Sequence, residues 1–280
     1  MIPLILTIIC SSSIALIIKH SDSKKGNEVI LLNGNYLICS IISLIYFLMD
    51  SDATFSVETL IFSTILAVMF VAGFFAFAKS VSAAGTALAV VSSRLSVVVP
   101  ILFSIIIFDE IPNVGQLAGF TFTGITILFF YFSLRTIEST SLRIMDYIYL
   151  FGVLIAIGVN DFGMKIFQQW RPETEKSFFL LSLFTVCFIY TLLLIFVKKI
   201  KFEKPTFNRG MVLGIPNMFS SFFLLSALAQ LPAIIVYPIT NIGIILVSTF
   251  GAAFLWKEKL NSYGKYALAA GIISIILLSL

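Results

Sequence analysis

Three ionisable residues stand where so apolar a chain has least tolerance for charge: Arg94, in ALAVVSSRLSVVVP, and Asp161 and Lys165, in IGVNDFGMKIF. A guanidinium offers five donors in a planar fork that suits a carboxylate or a phosphate. A carboxylate held away from water can take up and release a proton, which makes Asp161 the candidate coupling-ion residue. Asp161 and Lys165 are four residues apart on one helical face, where they can neutralise each other. Lys165 also lies about one turn from its helix end, close enough to snorkel to the interface. Arg94 sits roughly 12 Å into its segment, too deep for that. An Arg94–Asp161 pair that only holds the fold together is the structural alternative to substrate contact.

Uncharged polar residues complete the candidate set. Ser93 adjoins Arg94, Asn160 adjoins Asp161, and Asn241 falls, in YPITNIG, where a second-half counterpart of Arg94 is expected. The substrate-binding candidates are therefore Arg94, Asp161, Asn160, Asn241, Lys165 and Ser93. Ser92, Ser96, Asn217 and Thr240 add weaker signals, and any of these side chains can instead hydrogen-bond helix to helix. Catalytic chemistry has no matching pattern. His20 is the lone histidine, and there is no HExxH, no plausible Ser/His/Asp set and no GxxxxGK[ST] loop for ATP. Cys10, Cys39 and Cys187 lie in apolar stretches without ligand spacing, so neither a metal nor a disulfide is expected. No enzyme activity and no cofactor is expected.

Positioning these groups falls to helices that cross a bilayer. Of 280 residues 59% are hydrophobic and 11% charged, against about a quarter charged in soluble domains. Mean hydropathy is +1.08. A membrane removes the burial problem, and runs such as VVVPILFSIIIF lack the alternation of a barrel strand. Ten spans are expected: 2–18, 29–49, 57–78, 86–108, 114–134, 147–169, 178–197, 210–231 broken by Pro216, 233–256 and 262–280. No removable signal peptide is expected at the N-terminus, because no basic region precedes the apolar stretch and no small-residue cleavage site follows it. The net charge of +4 reflects basic residues beside spans, which orient the chain rather than bind nucleic acid.

The chain also repeats itself. FDEIPNVGQLAG, closing the fourth span, is echoed by WKEKLNSYGKYALAAG after the ninth: an aromatic, a charge, a glutamate, then a small-residue-rich apolar helix. Glu110 and Glu258 belong to equivalent turns and read as turn and helix-cap determinants on opposite faces. Five spans per half require the second copy to enter the membrane inverted. The expected architecture is an all-α polytopic membrane protein of ten transmembrane helices, with repeats at 1–134 and 147–280 joined by a polar linker, 135–146. Pro100, Pro216 and Pro238 interrupt helices as kinks or hinges.

Those two turns and the opening SSSIALIIKHS resemble the drug/metabolite transporter superfamily, in particular its ten-helix EamA-like members. The resemblance implies inverted five-helix repeats around a central cavity lined by helices one, three, four, six, eight and nine. It also implies export of amino acids or related metabolites. Small multidrug members carry a coupling glutamate in the first helix; with Lys19 matched to the lysine ending that helix, the position falls at Ser11. The missing carboxylate counts against a lipophilic-cation exporter. Linkers after odd-numbered spans hold most cations, including Lys24, Lys25, Arg143 and Lys259, and those after even-numbered spans only Arg171 and Lys176. The positive-inside rule then puts both termini outside the cytoplasm, whereas the family pattern puts them inside.

The expected function is a secondary active transporter, an exporter of a small polar metabolite such as an amino acid or related zwitterion or anion. It works by alternating access around a mid-membrane cavity, coupled to protons, in a bacterial inner or plasma membrane. The alternatives are a carrier of a phosphorylated, nucleotide-linked or lipid-linked sugar, and a non-transporting scaffold or accessory subunit.

Overall fold

The computed structural model describes residues 1–22, 26–135, 144–257 and 261–280, and among them it is helical, with no strand. Lys24, Lys25, Arg143, Glu258, Lys259 and most of the 135–146 linker lie outside the described residues, as do the side chains of Lys19, His20, Arg135 and Trp256. The helices are α1 (Ile2–Asp22), α2 (Glu28–Met49), α3 (Val57–Ala84), α4 (Thr86–Leu95), α5 (Val98–Phe108), α6 (Val114–Arg135), α7 (Ile144–Trp170), α8 (Lys176–Val197), α9 (Lys204–Leu228), α10 (Ala233–Trp256) and α11 (Ser262–Leu278). Among the described residues, eight segments are long and apolar enough to cross a membrane, one of them running from Leu88 through α5 to Phe108; Ile2–Ile18 and Ser262–Leu278 are shorter apolar helices. That is the composition of a multi-pass membrane protein.

The fourth expected span is two helices. It breaks at Ser96–Val97, four residues before Pro100. Pro100 has no N–H for the Ser96 carbonyl and falls in the first turn of α5, where a helix tolerates it. Tighter bonds fill the gap: Val97 N–H reaches Arg94 O (3.4 Å) and Val99 N–H reaches Ser96 O (3.0 Å). The expectation that Pro216 breaks the eighth span is corrected. α9 starts at Lys204 rather than Gly210 and runs on through Pro216, as α10 does through Pro238. An interior proline removes a single bond and can be absorbed as a bend.

Two compact units are present, and each draws on both halves of the chain. The first comprises residues 1–71 and 166–226. In it α2 lies along α8, because Tyr36, Cys39 and Ser43 on one helix and Phe179, Leu180, Leu183, Phe184 and Cys187 on the other form buried stripes at helical spacing. Polar side chains add ties: Asn33 Nδ2 donates to Thr191 Oγ1 at 3.0 Å, and the hydroxyls of Ser40 and Thr185 meet at 2.6 Å. α9 approaches α2 through Gly210 and Gly214. A Cβ there would fall 2.0 Å from Leu31 O and 2.5 Å from Asn35 O, so only glycine lets the backbones meet.

The second unit comprises residues 72–165 and 227–280. Here α6 lies along α11, with Thr123 and Ser274 hydroxyls 2.9 Å apart, and α10 packs on α5, α6 and α11. The repeated turns share one backbone form. Asp109 ends α5 at φ 52°, ψ 33°, and Lys257 ends α10 at φ 53°, ψ 33°.

Candidate functional site

Within the second unit, α4, α7 and α10 are tied to one another by three hydrogen bonds, each from a different polar side chain. Ser92 Oγ on α4 donates to Leu150 O on α7 at 2.5 Å. The Tyr237 hydroxyl on α10 donates to Asp161 O on α7. Arg94 Nη1 on α4 donates to Asn241 Oδ1 on α10 at 3.3 Å. Gly158 brings α7 against the α4–α5 break: a Cβ there would lie 2.8 Å from Ser96 O and 2.5 Å from the Val99 side chain. The interruption in the fourth span is thus covered by the helix that carries Asn160 and Asp161.

Arg94 and Asn241 each stand eight residues after the first residue of their helix, Thr86 and Ala233. Asn241 Nδ2 is held by Tyr237 O at 3.2 Å, which leaves its oxygen aimed at the guanidinium. Arg94 Nε is buried and has no protein acceptor. The ion pairs among the described residues do not join Arg94 to Asp161, although the two groups act on each other through space. The site therefore presents a guanidinium and a carboxylate that are near one another without neutralising each other by contact. Thr240 Oγ1, beside Asn241, is likewise buried without a partner.

All six candidates lie on these three tied helices: Ser93 and Arg94 on α4, Asn160, Asp161 and Lys165 on α7, and Asn241 on α10. Asn160 also meets α3, where Gly73 makes room: a Cβ on that glycine would fall 3.0 Å from Asn160 Nδ2. Ser93 Oγ bonds back to Val90 O of its own helix at 2.7 Å. Lys165 is drawn elsewhere. Its Nζ pairs with Glu110 Oε1 at 2.9 Å, with the two side chains only 5% and 11% exposed, and it lies 5.5 Å from the centre of the Phe108 ring. A buried ion pair stands in place of the expected snorkelling, because a buried ammonium needs a close carboxylate and Glu110 supplies one.

Glu110 does more than the turn position suggests. Its Oε2 accepts the Ile234 N–H at 3.0 Å, capping α10, whose own N-cap residue is Pro232 and has no capping side chain. One carboxylate therefore joins the end of α5, the start of α10 and Lys165 of α7. Sequence reasoning identified Glu110 as a cap but not which helix it caps, 124 residues away. It also passed over Tyr237, whose position four residues before Asn241 was the available signal.

In the first unit, Ser11, the position matched to the family glutamate, hydrogen-bonds Ser220 at 2.6 Å. Arg171 there pairs with Glu175 at 2.9 Å and donates to Thr59 Oγ1 at 2.9 Å and Ser56 Oγ at 2.5 Å. Nε and Nη2 thus tie the start of α3 to the turn before α8.

No family model matches the chain. It is similar to an uncharacterized protein of Haemophilus influenzae, 25% identical over 272 residues, covering 92% of this chain and 90% of that one. A crystal structure of a protein with 13% sequence identity superposes with a TM-score of 0.79, covering 99% of this chain and 94% of that chain. That likeness shows a shared fold.

Proposed function

We propose that the protein is a secondary transporter of a small polar metabolite, exposing the α4–α7–α10 site alternately to the two membrane faces. The observation that carries this reading is Arg94: a guanidinium on a broken helix, bonded by one nitrogen to Asn241 and left without an acceptor on Nε. A buried donor of that strength calls for an acceptor, and a carboxylate is the best match. With Asp161 near it, the site suits a zwitterion such as an amino acid. Asp161 is the candidate for the coupling proton.

Ten spans in two inverted five-helix repeats underlie the reading. Three packed pairs support it: α2 with α8, α5 with α10 and α6 with α11. In each, the partners stand five apolar segments apart along the chain, as a two-fold axis between halves would place them. The matching left-handed turns at Asp109 and Lys257 support it also. Membership of the drug/metabolite transporter superfamily, and a bacterial inner membrane location, remain part of the same proposal. The sugar-phosphate alternative needs more than one cation at the site; Lys165, held by Glu110, does not supply the second.

The test is thermal stabilisation of purified protein, wild type beside Arg94→Gln, across amino acids, organic anions, sugar phosphates and lipophilic cations. A ligand at 100 times its Kd adds about 2.7 kcal/mol. Stabilisation by an amino acid in wild type and not in the variant, followed by exchange of that ligand across proteoliposomes, is the expected result. Equal responses of the two proteins would assign Arg94 to the fold alone.

A further inference from the structure

The turn between α8 and α9 carries an unusual concentration of cations. Lys198, Lys199, Lys201 and Lys204 fall within seven residues, and all four are exposed. Glu203, the acid within that run, is bonded to groups outside it. Its Oε2 accepts from Thr206 Oγ1 at 2.9 Å and from the Asn27 N–H at 3.4 Å, which spends the carboxylate on α9 and on the start of α2. Arg209 Nη2 donates to the same Thr206 hydroxyl at 2.9 Å.

The backbone here holds its lysines at a cost. α8 ends in a two-bond reverse turn, Ile200 N–H to Ile195 O at 3.0 Å and Lys199 N–H to Phe196 O at 3.2 Å, with Lys199 at φ 49°. Glycine is the usual occupant of that left-handed position, since a Cβ there is strained. A lysine stands there instead, adding its charge to the turn at the cost of that strain. Directly adjoining are exposed apolar side chains: Phe196 at 70%, Val197 at 77% and Phe202 at 55%, the last set against the Phe207 ring at 5.2 Å. Ammonium groups beside an aromatic and aliphatic shoulder, at the end of an apolar helix, match a phospholipid with its phosphate above and its chains below.

We propose that the Lys198–Lys204 turn is a docking site for the headgroup of an anionic phospholipid. Three features combine in it: the acid of the run is engaged elsewhere, the lysine-bearing backbone is fixed by the end of α8, and the acyl-facing shoulder is part of the same turn. The proposal stands apart from the transport reading and needs only that α8 crosses the bilayer.

The experiment compares full-length wild type with the combined variant Lys199→Gln, Lys201→Gln and Lys204→Gln, in vesicles of phosphatidylcholine alone or containing phosphatidylglycerol. Spin-labelled lipids report which headgroup the protein retains. Wild type is expected to favour phosphatidylglycerol by at least about fivefold, with the preference falling as salt is raised, and the variant to favour neither lipid. No preference in wild type, or a preference the variant keeps, overturns the site. Should the triple variant fail to fold, Lys201→Gln alone and the salt dependence of wild type carry the same decision: loss of selectivity supports the site and its persistence at high salt overturns it.

Discussion

Arg94 and Asn241, 147 residues apart in sequence, each lie eight residues into their helix and meet through a 3.3 Å hydrogen bond from Nη1 to Oδ1. An amide is a weak partner for a guanidinium, and a ligand carboxylate makes a stronger one. Asn241→Asp is expected to satisfy Arg94 permanently. The ion pair is then set against the lost Nδ2 bond to Tyr237 O, so unfolding in mixed micelles shows stability within about 1 kcal/mol of wild type, while stabilisation by the ligand is lost. Retained ligand binding in that variant would show that Arg94 does not need to be released to bind cargo.

Arg94→Lys keeps the charge and discards the fork. If the guanidinium receives a carboxylate through two parallel bonds, ligand binding in the variant weakens by about 1.5–3 kcal/mol, roughly tenfold or more, with little loss of fold stability. Titration of wild type and variant with the same ligand measures the difference. Equal affinity would reduce Arg94 to a point charge.

Glu110 and Lys165 are a buried pair, so removing one partner leaves an uncompensated charge. Glu110→Ala is expected to cost about 3–5 kcal/mol, more than the loss of a helix cap alone at about 1 kcal/mol. Joining it with Lys165→Met should return much of that loss. Chemical unfolding of the two single variants and the double variant gives the coupling, and additive losses would mean that the ion pair is not formed.

Gly210 and Gly124 predict opposite outcomes from similar substitutions. At Gly210 any side chain meets Leu31 O at 2.0 Å, so Gly210→Leu is expected to separate α9 from α2 at a cost of at least about 2 kcal/mol. At Gly124 nothing lies within 4 Å, and Gly124→Ala should be neutral or stabilising by up to about 1 kcal/mol. Thermal unfolding of both variants checks the pair.

Lys199→Gly should raise stability by about 1 kcal/mol by relieving the left-handed position, and should weaken selection of phosphatidylglycerol. Opposite signs for the two effects would distinguish a lysine kept for its charge from one that is merely tolerated.

The membrane class and most helices were legible in the chain because hydropathy is a local quantity. About 20 apolar residues in a row can do little else than span a bilayer. Arg94, Asp161 and Lys165 stood out by the same logic, since charge amid such runs is costly wherever it ends up. Counting along the two halves also put Asn241 where a counterpart of Arg94 was expected. What a charge pairs with is not local. Lys165 has Asp161 one turn away in sequence, yet its partner is Glu110, because the end of α5 arrives beside α7 only in the folded unit. The same holds for the cap on α10, for Tyr237 bonding to Asp161 O, and for the glycines of α9, whose need shows only once Leu31 O lies against them. The helix break followed a rule that was partly readable: Pro100 announced a disturbance, but its carbonyl partner at Ser96, not the proline itself, marks where the helix parts. Composition and spacing determined which residues bear chemistry and that they lie among apolar helices. The packing of α4, α7 and α10 decided which of them share a site, since hydrogen bonds and ion pairs act over a few ångströms that only the tertiary structure can close.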